Sequence, residues 1–107
     1  MEIYSLMKMG LDATELRSKV IANNIANINT VGYERKYVDF EDTLTDKLED
    51  AKIEVKTEKN ASMREDGNNV DLENEKVNQA ASTLQYNALV SLTNTKIAMT
   101  KSIISGR

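Results

Sequence analysis

Leu6, Met9, Ala13, Leu16 and Val20 recur three or four residues apart, the period of one face of a helix. The spacing predicts a helix from the start of the chain to about Ile28. Gly10 interrupts it at a cost of about 1 kcal/mol. Asp12 followed by Glu15 has the form of a capping box, which puts the firm start near residue 12. A second, longer helix is predicted from Asp71 to about Ile104. Asp71 can cap it, Glu73 and Glu75 suit its positive end, and Gly106 can stop it. At the rise of an α-helix the two rods would reach about 35 and about 50 Å.

Both helices carry too many apolar positions for one stripe. On the second, Val77, Ala81, Leu84, Ala88, Leu92, Met99 and Ile103 gather on one face. Val90, Ile97 and Ile104 gather nearly opposite, joined by Tyr86, and only Asn87, Asn94 and Lys101 form a clearly polar stripe. On the first, Met9, Ala13, Leu16 and Val20 form one face and Ile3, Met7, Ile21 and Ile25 another, with a charged stripe of Lys8, Asp12, Glu15 and Lys19. An ordinary surface helix has a single apolar stripe. If the two helices pair, each hides one face and leaves the other wet. Each large side chain left exposed forgoes about 1.5–3 kcal/mol of burial. Continuous patches of that kind mark association sites. The predicted assembly faces are Leu16, Val20, Ile21 and Ile25 on the first helix. On the second they are Leu84, Tyr86, Val90, Leu92, Ile97, Met99, Ile103 and Ile104. Small residues, Ala80, Ala81, Ser82, Ala88, Ser91, Ala98 and Ser102, would let neighbouring helices approach closely. The competing possibility is that the middle of the chain folds back over these faces, and its acidity argues against that.

The fold predicted is mainly α: long N- and C-terminal helices packed as an antiparallel, coiled-coil-like pair. Residues 1–36 hold the first helix and the turn after it, 37–70 a small irregular or β-hairpin middle segment, and 71–107 the second helix, all in one structural domain. In the middle, Phe40, Leu44 and Leu48 lie four apart and suggest a short acidic helical piece. "KIEVKTEK" alternates, with Ile53 and Val55 on one side and Lys52, Glu54 and Lys56 on the other. That predicts an exposed strand, with a hairpin returning through Ala61 to Arg64. "EDGNNVD" reads as a turn in which Gly67 and the two asparagines tolerate positive φ.

Composition removes several function classes. Among 107 residues there is no cysteine and no histidine, so thiol chemistry and the commonest general base and metal ligand are absent. Apolar residues are 40 % and aromatics 5 %, too few for a core deep enough to carve a carboxylate active site from. No catalytic residue, metal ligand, cofactor site or small-molecule substrate is expected. A net charge of −3 lacks the basic excess of a nucleic-acid binder. No apolar run approaches a membrane span, and "MEIYSLMKMG" lacks the features of a cleavable signal. The protein is expected to stay in the cytoplasm or to leave by a route that needs no such signal.

Asn23, Asn24 and Asn27 close the first helix although asparagine is a weak helix former. The last four carbonyls of a helix lack partners. Side-chain amides there can stitch the helix end to the following turn. Thr30 can bond backbone, Gly32 can adopt conformations closed to other residues, and Tyr33 offers a ring and a hydroxyl. Spacing alone favours a plain polar loop with a turn.

"NNIANINTVGYERK" resembles the N-terminal signature of the bacterial flagellar rod and hook family, roughly Asn-Asn-x-Ala-Asn-x-x-Thr-Pro-Gly-Tyr-Lys/Arg. Asn23, Asn24, Ala26, Asn27, Thr30, Gly32, Tyr33 and Arg35 match, and Val31 departs where proline is usual. The second half, "DGNNVDLENEKVNQAASTLQYNALVSL", is similar to the C-terminal block of the short proximal-rod members. Asp66, Gly67, Asn68, Val70, Asp71, Glu75 and Tyr86 carry that likeness. The resemblance implies a structural subunit of the basal-body rod in the cell envelope, exported through the flagellar apparatus without a cleaved signal. Its terminal helices would pack with other copies and other rod proteins into the hollow shaft that transmits torque. A membrane-ring adaptor would be met at the base. Two-faced helices suit such a lattice, because each face meets a different neighbour.

The rival reading is a soluble helical adaptor or chaperone that binds an amphipathic helix of a client. A membrane-surface helix is disfavoured by the mixed-sign stripe on the first helix. "REDGNNVDLENE" does not fit a calcium loop, since Val70 stands where an oxygen donor is needed.

Overall fold

The computed structural model describes residues 3–44, 51–59 and 64–106. Two long helices run against each other, α1 over Ile3–Ala26 and α2 over Leu72–Ser105. Two short strands, β1 over Lys36–Asp39 and β2 over Glu54–Thr57, form an antiparallel pair between them in sequence. The molecule is a rod 65 Å long.

Each end of α2 is closed as its sequence predicts. The Asp71 side chain accepts from the N–H groups of Glu73 and Asn74. Gly106 adopts φ +72°, a left-handed value that ends helices. α1 begins near the start of the chain, as the spacing predicts, and not at the Asp12 capping box. The helix passes through Gly10 without a break. Asp12 and Glu15 act within it as ion-pair partners of Lys8 and Lys19, one turn away. Gly10 is useful at its position because a Cβ there would stand 3.3 Å from a methyl of Leu89, where the helices come close.

The seam between the helices is the main departure. Along α2, Glu75, Ser82, Gln85 and Thr100 meet Asn24, Thr14 with Ser18, Arg17 and Tyr4 of α1. Leu89 fits over Gly10. The order descends, so the helices are antiparallel. Glu75, Ser82, Leu89 and Lys96 lie seven apart on one line, and that line is mostly polar. It runs between the two apolar faces of α2, so neither face is hidden by α1 as the wheel predicted. The Ser82 hydroxyl is buried and donates to the Thr14 carbonyl at 3.1 Å. Side chains this small allow close backbone approach without a large apolar interface.

The middle segment covers more of α1 than its acidity suggested. β1 packs on α1, burying Val38 and Phe40 with Ala13, Ile21 and Val70 as a small core. The acidic helical piece is a single 3-10 turn, Glu41–Leu44, and Leu48 lies outside the described residues. Where a strand was predicted, β2 forms, but it pairs backwards with β1: Lys36 opposite Thr57 and Val38 opposite Val55. The return through Ala61 to Arg64 is not the described partner, and residues 60–63 lie outside the description. β1 was not anticipated.

The seam can be tested at Ser82. In an apolar coiled coil a leucine at such a position stabilises. Here Ser82→Leu should overpack the seam and orphan a buried contact, lowering stability by about 1–3 kcal/mol. Thermal unfolding followed by circular dichroism checks this, and a raised midpoint would show that the helices do not approach closely at Ser82.

Candidate functional site

The signature asparagines lie where the end of α1, the start of β1 and the start of α2 converge. Asn24 is fully buried. Its Nδ2 donates to the Lys36 carbonyl at 2.7 Å and to Glu75 Oε2 at 3.3 Å. Its Oδ1 accepts from the Lys36 N–H at 2.9 Å. One amide thus serves both backbone groups of Lys36, as a neighbouring strand would. The Tyr33 hydroxyl lies 3.0 Å from Asn24 Oδ1 and 2.9 Å from Asn23 Oδ1, and donates to them. Burial first, and the Glu75 carboxylate second, push the Tyr33 hydroxyl above its ordinary pKa, so it stays a donor.

Asn27 donates to the Asn23 carbonyl at 2.8 Å and accepts from Thr30 Oγ1. Most of the capping comes from elsewhere. Nδ2 of Asn68, fully buried, lies 2.8, 3.1 and 2.8 Å from the carbonyls of Asn27, Ile28 and Thr30. Arg64 adds a bond to the Ile28 carbonyl at 2.6 Å. The Thr30 carbonyl also accepts from the Tyr33 N–H, closing a turn with Gly32 at φ +73°. Such a turn needs positive φ at its third position and favours proline at its second, where Val31 sits exposed. Gly67, at φ +77°, packs beside Gly32, and the Gly32 N–H reaches the Asp66 carbonyl at 2.6 Å. Of the turn residues that tolerate positive φ only Gly67 takes it, while Asn68 and Asn69 serve through their side chains, as acceptors from the Val70 and Arg35 N–H groups.

Arg35 ties the cluster together. Its Nε donates to buried Glu75 at 2.8 Å and its Nη1 reaches Glu58 at 3.4 Å. Burial lowers the guanidinium pKa, but hydrogen bonds and charge from Glu75, then Glu58, outweigh it and raise it overall. Asn69 accepts from the Arg35 N–H at 2.6 Å. Nearby, Arg17 grips Glu41 with two nitrogens, at 3.0 and 2.8 Å, and donates to the Val38 carbonyl. Burial raises the Glu41 carboxyl, but hydrogen bonding and charge from Arg17, together with backbone hydrogen bonds at Glu41 and Phe40, hold it below the ordinary value. Among the described residues no group of histidine, cysteine or carboxylate side chains could hold a metal. No described helix is long and apolar enough to cross a membrane.

The predicted site residues divide into two groups. Asn23, Asn24, Asn27, Thr30, Gly32 and Tyr33 come together in this cluster, while Ala26 merely ends α1, exposed. Of the assembly faces, Leu84, Tyr86, Leu92, Ile97, Met99, Ile103 and Ile104 are exposed, Leu84 at 70 % and Ile104 at 81 %. Leu16, Val20, Ile25 and Val90 are half-buried. Ile21 is 3 % exposed and belongs to the chain's own core, a correction that follows from the packing of β1 on α1. Sequence reasoning did not find the bonds made by the side chains of Asn68, Arg35 and Arg64. Asn68 and Arg35 were visible as matching signature letters, but a letter does not say which carbonyls a side chain reaches.

Asn68→Asp keeps the shape of the side chain and removes its donors. It should leave buried carbonyls unpaired and lower stability by about 1–3 kcal/mol or more, judged by urea unfolding. An unchanged midpoint would show that Asn68 does not hold the end of α1.

The family model described as "Flagella basal body rod protein" matches residues 9–33, which end at the signature turn. The chain is 32 % identical over 117 aligned residues to the flagellar basal body rod protein FlgB of Bacillus subtilis, covering 94 % of this chain and 91 % of that one. It is 48 % identical over 44 residues to the flagellar basal-body rod protein FlgG of Agrobacterium fabrum, covering 41 % of this chain and 17 % of the relative. FlgG of Buchnera aphidicola shares 49 % over 39 residues, 36 % of this chain and 15 % of that one. With a clamp built from the signature residues and a full-length likeness to FlgB, this chain belongs to the flagellar basal-body rod protein family.

Proposed function

We propose that this chain is a structural subunit of the proximal rod, joined to copies of itself and to other rod proteins through the outward faces of its helices. The observation that carries the reading is the polar seam. It leaves Leu84, Leu92, Met99 and Ile103 exposed along one side of α2 and Tyr86, Ile97 and Ile104 along the other. Apolar surface on this scale is stable only when covered. Two opposed faces give two different neighbours, and such contacts propagate rather than close. The half-buried Leu16, Val20 and Ile25 would complete the surface on α1, and Val90 would contribute on α2.

In this reading the protein performs no catalysis and uses no cofactor. The flagellar export apparatus delivers it without removing a signal, and the membrane-ring adaptor meets it at the rod base. The signature cluster acts as a clamp: it sets how α2 lies on α1 and so which side chains point outward. An adaptor that binds one client helix would saturate at a fixed number of partners, whereas a rod subunit keeps adding.

Leu84→Asp with Leu92→Asp tests the face directly. Both positions are exposed in the free chain, so stability should change by about 0.5 kcal/mol or less per site. The double variant should fold and be exported, yet fail to appear in purified basal bodies, and cells carrying it should not swim. Normal motility would remove this face from the assembly contacts.

A further inference from the structure

The two strands have unequal edges. The Glu58 N–H donates to the Arg35 carbonyl, so the pairs alternate from there. Tyr37–Lys56 exchange ladder bonds, while Lys36–Thr57 and Val38–Val55 direct their backbone groups away from each other. On β1 those groups are met by α1: Asn24 takes the N–H and carbonyl of Lys36, and Arg17 donates to the Val38 carbonyl. On β2 the matching groups belong to Val55 and Thr57, and among the described residues they have no partner. Val55 is 49 % exposed at that open edge. A two-stranded sheet is marginal, and an open edge of this kind accepts another strand.

The sequence of β2 selects the strand. Placed antiparallel to itself about Val55, it sets Val55 against Val55, Glu54 against Lys56, and Lys52 against Glu58 of the second copy. From Lys52 to Glu58 every charged position meets its opposite. Centring the pair on Glu54 or Lys56 instead puts like charges face to face, which is destabilising. Hydrogen-bond parity allows a centre at Val55 or Thr57, whose N–H and carbonyl groups point outward, and of the two Val55 aligns more opposite charges: Glu54 with Lys56 and Lys52 with Glu58, against Lys56 with Glu58 alone. We propose that two copies of this chain pair through β2 about a two-fold axis at Val55, making a four-stranded sheet in the order β1–β2–β2–β1. Such a contact closes on itself. It is a pairing of free subunits, separate from the helix contacts that extend a rod, and it does not rest on the rod reading.

The chain has no cysteine, so single-cysteine variants report the register cleanly. Facing residues at a hydrogen-bonded pair lie about 5.5 Å apart, within disulfide range. Val55→Cys should therefore give a covalent dimer under mild oxidation. Thr57→Cys should not, since four residues of offset separate the two sulfurs by about 13 Å. Val55→Pro removes an outward donor that the β1–β2 ladder does not use, and should weaken self-association in sedimentation by about tenfold or more. Selective cross-linking at position 55 with loss of the dimer in Val55→Pro supports the pairing. Equal cross-linking at 55 and 57, none at 55, or a dimer that Val55→Pro leaves unchanged overturns it.

Discussion

Asn24 is the constraint on which the rest depends. Its one amide holds both backbone groups of Lys36 and touches Glu75, which in turn holds Arg35. Three segments distant in sequence are locked at one point. A buried carboxylate without its guanidinium would cost several kcal/mol, and the same carboxylate with it fixes geometry more than it adds stability. Here the geometry is the rotation of α2 about its own axis. With Glu75 turned toward Arg35 and Asn24, the residues seven and fourteen further on, Ser82 and Leu89, must also face α1.

That rotation explains why apolar side chains end up outside. A pair of helices left to hydrophobicity would bury Leu84, Leu92 and Met99, or Val90 and Ile97, against each other. The clamp turns both sets away and places serine, threonine and lysine in the seam. The free chain keeps a modest core of Ala13, Ile21, Val38, Phe40 and Val70, concentrated toward the clamp. At the far end the Tyr4 hydroxyl meets Thr100 Oγ1 at 2.7 Å and the Lys96 carbonyl at 3.5 Å, and none of the five buried apolar residues lies there. Order within one subunit should therefore fall off along the rod. A subunit built for a lattice can leave that deficit to its neighbours, since burial in an assembly supplies what its own fold lacks.

The helices were legible because period and caps agree: Asp71 and Gly106 close α2 as their chemistry predicts. Their facing was not, since two apolar stripes compete on the wheel and the winner, a polar line, is chosen by Glu75 through contacts remote in sequence. Asp12 misled for a simpler reason. The letters of a capping box also serve ion pairs one turn apart, and Lys8 and Lys19 supply the partners. β1 was hidden because it is four residues long and completed on its outer edge by side chains of α1 rather than by a strand. The signature turn was half legible. Asn23, Asn24 and Asn27 announced that side-chain amides close the helix, but the chief capping amide, Asn68, comes from the other half of the chain.

Native-state hydrogen exchange on the dilute protein, at a concentration where sedimentation shows a monomer, tests the central claim most directly. Amides around the clamp, from Asn24 to Lys36 and from Asn68 to Ser82, should exchange slowest, with protection decaying along α2 toward Ser105. Uniform strong protection through both helices, out to Tyr4 and Thr100, would contradict the account, because it would mean that the seam holds the helices together without neighbours.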